Sequence, residues 1–166
     1  MSFIPVQKYL LNCFVLTIPV LIWNIALTKI LPKEYQPEIF WEKIPHKLTY
    51  GENIFRISVF LLALFMPISF STIIQKEGLV IYLSGMILYL ASWLLLIYSP
   101  NSKWSNSMFG FLAPAYTPLF WLIGIGLIGN SFYFNIPYRH WYFISISVIF
   151  LLFHNAHALT IYFRKH

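Results

Sequence analysis

Hydrophobic positions along the chain gather into five long unbroken runs: Tyr9–Leu31, Ile54–Gln75, Gly78–Tyr98, Gly110–Asn130 and Trp141–Phe163. Periodicity cannot separate helix from strand in runs that are apolar on every side, but length can. Each run has the ~20 residues a helix needs to cross a hydrocarbon core about 30 Å thick, whereas a barrel strand needs only about 9–11. Helices also satisfy their own backbone donors and acceptors, as hydrocarbon requires. The pattern predicts an all-α fold: a polytopic integral membrane protein, a bundle of five transmembrane helices, forming one domain over residues 1–166.

The polar connections refine this picture. Between the first two runs, Pro37 and Pro45 bracket Glu38–Ile44, which reads as a short helix: Glu38 suits its positive end, Lys43 its negative end, and Pro45 stops it. Ile39, Phe40, Trp41 and Ile44 would lie on the membrane surface, with an ordinary irregular loop as the alternative. Lys76-Glu77 reads as a tight turn between the second and third spans, and Ser107 as the N-cap of the fourth. Pro19, Pro67, Pro114 and Pro118 predict kinks. Pro67 would free the Ala63 carbonyl within reach of Ser69 and Ser71, and Pro19 that of Val15. Gly124-Ile125-Gly126-Leu127-Ile128-Gly129 matches a dinucleotide-binding pattern, but no strand precedes it; the glycines read instead as sites of close helix approach.

Composition agrees: 59% of residues are hydrophobic, 20% aromatic and only 10% charged, against roughly 25% charged in soluble domains. A soluble or disordered chain is excluded. Only Lys29 and Arg56 among the charged residues fall inside the runs. The formal net charge is +6, and Asp is absent. The basic residues are dispersed, which suits membrane orientation and anionic headgroups rather than nucleic acid. Lys8, Lys76 and Arg139 fall on one side. Lys29, Lys33, Lys43, Lys47, Arg56, Lys103, Arg164 and Lys165 fall on the other. The positive-inside rule then predicts an outside N-terminus and a cytoplasmic C-terminus, in a bacterial plasma (inner) membrane. The first run is too long for a signal peptide and no small-x-small site follows it, so it reads as a span. Cys13 stands alone, with no internal disulfide open to it.

Polar residues inside spans cost free energy and mark function. With alternating spans, Asn24, Glu52, Asn53, Arg56, Trp93, Tyr116, His154, Asn155 and His157 all fall at the cytoplasmic leaflet, and these are the candidate ligand-binding residues. Glu52 and Arg56 are i,i+4 and share a helix face; His154 and His157 are i,i+3 and do the same. Cys13 lies eleven residues before Asn24, roughly 16 Å along a helix, too far to reach the histidines. Two histidines and a carboxylate suit proton transfer or helix-to-helix hydrogen bonds. No metal-binding motif supports a metal, and no cofactor is assigned. Absence of Asp and of G-x-S-x-G removes the common hydrolase sets. The expected function is binding of a lipid or other amphipathic small molecule in a polar pocket at the cytoplasmic leaflet. The alternatives are a membrane enzyme on a lipidic substrate using His154, His157 and Glu52 in acid–base or metal chemistry, and an accessory subunit packed against a membrane protein partner. Membrane lipids are expected partners in every case.

Overall fold

A computed structural model describes residues 10–165 of the chain. Lys8 and Tyr9, expected at the start of the first span, and His166 lie outside the described residues. The fold is all-helical, with 75% helix and no strand among the described residues. The α-helices are α1 Ile18–Leu27, α2 Pro37–Phe40, α3 His46–Leu64, α4 Ile73–Tyr98, α5 Lys103–Asn106, α6 Met108–Tyr116, α7 Pro118–Ile128 and α8 His140–Lys165. Three helical stretches are long and apolar enough to cross a membrane: Ile73–Tyr98, Met108–Ile128 and His140–Arg164. The last of these matches its sequence expectation to within a few residues.

The first two runs depart from expectation, and proline is the reason. Pro19 sits in the first turn of α1, where its missing N–H is no loss, so it opens the helix rather than kinking it. The residues before it form a 3-10 helix, Cys13–Thr17, capped by the Asn12 side chain accepting from the Phe14 N–H. The whole stretch Cys13–Leu27 rises only about 25 Å, at ~2.0 Å per residue in its 3-10 part and ~1.5 Å in its α part. Helix α3 begins at His46 and ends at Leu64, far short of Gln75, because Pro67 cannot continue it. Ser69 and Ser71 do not reach back to the Ala63 carbonyl, which accepts from the Met66 N–H instead (3.3 Å). They donate to the Gln75 side-chain oxygen.

Lys76-Glu77 is not a turn. Thr72 and Gln75 form a capping box that starts α4 at Ile73, placing Lys76 and Glu77 in its first turns. The reversal falls at residues 65–72, in extended backbone held by Cys13 N–H to the Met66 carbonyl (2.7 Å), Ile68 N–H to Leu11 (3.2 Å) and Tyr133 N–H to Phe65 (3.1 Å). The fourth run is α6 and α7 joined at Thr117, with Pro114 inside α6 and Pro118 opening α7. Ser107 caps α6 as expected, accepting from the Gly110 N–H at 3.1 Å.

The core is a layer of α4 against α7, with α8 packed on α6, α7 and α3. Glycine permits the α4–α7 crossing: a Cβ at Gly124 would fall 2.5 Å from the Tyr82 nitrogen, and one at Gly78 would fall 2.7 Å from the Leu127 Cβ. The matched G-x-G-x-x-G pattern is thus a packing surface inside a helix. On the other flank, α3 meets α8 through Gly51 and the stacked rings of Phe55 and Phe153 (5.6 Å). This contact brings the polar residues of α3 and α8 together.

Candidate functional site

Helix α3 turns one stripe inward: Glu52, Val59 and Ala63 are buried and Arg56 half-buried, at helical spacing. Helix α8 answers with Phe143, Ser147, Leu151, His154, Ala158 and Ile161 on its facing stripe, and with His157 beside it. Glu52 and His157 are each 0% exposed. Glu52 Oε1 accepts from the Arg56 guanidinium and from His154 Nδ1 (2.9 Å). Glu52 Oε2 faces His157 Nδ1 at 2.5 Å. Arg56 Nη1 also donates to Asn53 Oδ1 (3.3 Å).

The segment between α1 and α3 closes over this cluster as a strap. It does not present a helix over Glu38–Ile44: α2 ends at Phe40, and the chain turns through Lys43 at a left-handed φ of 53°. Its free C-terminal carbonyls draw cations, as the negative end of a helix does. His157 Nε2 donates to the Phe40 carbonyl (2.8 Å), while Arg164 donates to the Ile39 carbonyl (2.8 Å) and to that of Glu42. Phe40, half-buried, and Trp41, still exposed on its outer side, pack on the His157 ring at 4.2 and 4.7 Å. Ile44 is buried. Trp41 and Phe150 flank the Arg56 guanidinium at 5.6 and 5.7 Å, holding it by cation–π attraction.

Beside the cluster lies a cavity of about 380 Å³. Val59, Phe60, Trp121, Leu122 and Phe150 make much of its wall, and Arg56 and His154 reach it from the cluster. The 3-10 helix, through Thr17, and α1, through Val20, Leu21 and Asn24, form one side. They are tied across by the Tyr82 hydroxyl donating to the Leu16 carbonyl (2.8 Å) and the Tyr89 hydroxyl donating to Asn24 Oδ1 (2.6 Å). Pro114 and Pro118, at the α6–α7 break, line the opposite side. Tyr35, on the strap, meets Trp93 edge-on (5.0 Å) and Phe111 at a tilt (4.9 Å) and donates its hydroxyl to the Phe111 carbonyl. Burial, helped by the neighbouring Glu34 carboxylate, holds the Tyr35 phenol far above its ordinary range, so it stays a neutral donor.

Of the residues singled out from sequence, Glu52, Asn53, Arg56, His154 and His157 form one hydrogen-bonded cluster. Asn24 and Trp93 join Arg56 and His154 on the cavity wall. Two do not belong. Asn155 donates to the Ala115 and Leu151 carbonyls (3.0 and 2.8 Å), tying α8 to α6 beside the proline break. Tyr116 is half-buried at the end of α6 and is not among the cavity-lining residues. Sequence reasoning missed Tyr35, Tyr89 and Phe150 in the cavity wall and Arg164 on the strap. The unsatisfied carbonyls of so short a helix as α2 were the one signal pointing to a cation such as Arg164. Cys13 is buried against Met66 and Pro67, beyond the far end of α3 from Glu52, roughly 20 Å along that helix. Among the described residues no group of three or more His, Cys, Asp or Glu is arranged to hold a metal ion. No family model, no curated protein and no solved structure matches this chain.

Proposed function

We propose that this protein binds a lipid or other amphipathic small molecule in the cavity between α1, α3, α7 and α8. The carrying observation is the cavity itself: about 380 Å³, walled by apolar and aromatic side chains, with Arg56 and His154 at one edge. Ligand pockets run from about 300 to 1,000 Å³ and pair such walls with a few convergent polar groups. Leu21 lines the cavity from α1 and is not fully buried, so Leu21→Trp fills the space with little strain on the core. Lipid extracted from the purified protein and identified by mass spectrometry is expected to include a specific amphiphile that Leu21→Trp loses. Equal lipid content in the two proteins would sink the reading.

An enzyme working on a lipidic substrate is the second reading, and the 2.5 Å contact between Glu52 and His157 favours it as a proton-sharing pair. Both groups are 0% exposed, however, and neither lines the cavity. Sealed from any ligand there, they serve better to hold Arg56 and His154 than to exchange protons with a substrate.

The membrane arrangement belongs to the same proposal. All five apolar segments embed in the bacterial plasma membrane, with the N-terminus outside and the cluster and C-terminus at the cytoplasmic face. Three helices of spanning length support it, as does the excess of Lys and Arg on one side. A reporter fused at His166 is expected to be active only in the cytoplasm; activity only outside would reverse the orientation.

A further inference from the structure

The buried cluster holds more positive charge than its carboxylate can neutralise. The Phe40 carbonyl only accepts, so His157 Nε2 carries a hydrogen. A neutral ring would then leave Nδ1 bare, and a bare nitrogen does not sit 2.5 Å from a bare carboxylate oxygen. One proton therefore lies between His157 Nδ1 and Glu52 Oε2. Whether the pair is imidazolium and carboxylate or imidazole and carboxylic acid, the sum is the same. Arg56 and the shared proton bring two positive charges, and the Glu52 carboxylate brings one negative. His154 donates from Nδ1 to Oε1 whether neutral or charged, so it can only add to the excess.

No acid lines the cavity beside that excess; the Glu34 carboxylate lies on the strap next to the lining residue Tyr35. Arg56 is the permanently charged residue lining the cavity, and no Glu lines it. Glu42, on the strap, is exposed and pairs with Lys43 (3.2 Å), while Arg164 adds positive charge to the strap from α8. An uncompensated cation is expensive in a low-dielectric site. Arg56 uses donors on Glu52 and Asn53 and keeps the rest of its planar fork, with its side chain 30% exposed.

We propose that the ligand is an anionic amphiphile: an oxyanion head, carboxylate or phosphate, on Arg56 and His154, with its apolar chain along Val59, Trp121 and Leu122. This rests on the amphiphile-binding reading above and names the class of ligand. The purified full-length protein in neutral detergent is compared for binding of oleate, oleoyl lysophosphatidate, oleyl alcohol and oleylamine, read by native mass spectrometry and radiolabelled-probe titration. At least one anion is expected to bind about tenfold or more tightly than the alcohol, the return of one charge-assisted hydrogen bond, with the amine weakest. The tighter anion identifies the head. Arg56→Gln is expected to erase the preference while still binding the alcohol, which also certifies its fold. Arg56→Lys, which keeps the charge, retains the preference, as does Lys103→Gln at the exposed start of α5. Equal binding of alcohol and anions, a preference that survives Arg56→Gln, or one lost in Arg56→Lys would overturn the anion assignment while leaving amphiphile binding intact. If neither the anions nor the alcohol binds, the broader reading falls and this one with it.

Discussion

Glu52→Ala is expected to destabilise the fold by about 3–5 kcal/mol, the cost of removing one partner from a buried ion pair. Glu52 is fully buried and is the acceptor shared by Arg56, His154 and His157. Without it, Arg56 loses its countercharge and His157 keeps only the Phe40 carbonyl, so the strap's attachment to α8 weakens together with the α3–α8 contact. Unfolding of the purified protein by a titrated denaturing detergent measures the loss. Glu52→Gln keeps the shape and one acceptor, and falls between wild type and alanine. Arg56→Leu combined with Glu52→Ala should recover part of the deficit, because a pair removed together leaves no orphaned charge. The double-mutant cycle isolates that coupling. A loss under about 1 kcal/mol for Glu52→Ala would mean that water reaches the cluster freely, as at a surface pair.

Gly124→Val is the second large effect. A Cβ there would fall 2.5 Å from the Tyr82 nitrogen, 2.6 Å from its Cα and 2.7 Å from the Gly78 carbonyl oxygen. Those are backbone atoms of α4, and a helix backbone cannot rotate aside as a side chain can. The two helices must separate, with loss of contacts along the crossing, including those at Gly78 and Gly85. Overpacking costs roughly 1–3 kcal/mol where neighbours adjust; here the upper end or more is expected, read in the same unfolding titration and as a smaller monodisperse yield. Gly51→Ala is the control. Its new methyl meets only the far edge of the Phe153 ring, which can turn away, so its loss should be clearly the smaller of the two. Equal losses would show that the α4–α7 backbones are not in contact.

These two predictions draw unequally on the sequence. The glycines of the fourth run were legible as packing residues because an apolar helix leaves them no other role. The histidine and Glu52 spacings were legible as helix faces, since i,i+3 and i,i+4 place side chains side by side whatever they pack on. That Glu52 faces α8 was not legible. Rotation of one helix about its axis is set by what the neighbouring helix offers, and here α8 offers His154 and His157 to Glu52. The start of α4 was written in the sequence as Thr72-Ile73-Ile74-Gln75, a capping pattern obscured by its place inside an apolar run.

By itself, the sequence determined the helical content and the five apolar segments, three of which lie in helices long and apolar enough to cross a membrane, since these follow from transfer free energy and residue spacing, which are local and additive. It also singled out Glu52, Asn53, Arg56, His154 and His157, which the fold brings into one cluster. Tertiary structure decided the rest. Pro67 ended α3 early and left extended backbone to make the reversal, and Pro19 and Pro118 opened helices instead of bending them. The strap folded onto His157 and Arg164, where its free carbonyls found donors. The His157 ring lies between Glu52 and the Phe40 carbonyl, two groups far from it in sequence, only in the folded arrangement. Hydrogen-bond satisfaction between distant segments depends on the whole arrangement at once, and no reading of one segment at a time contains it.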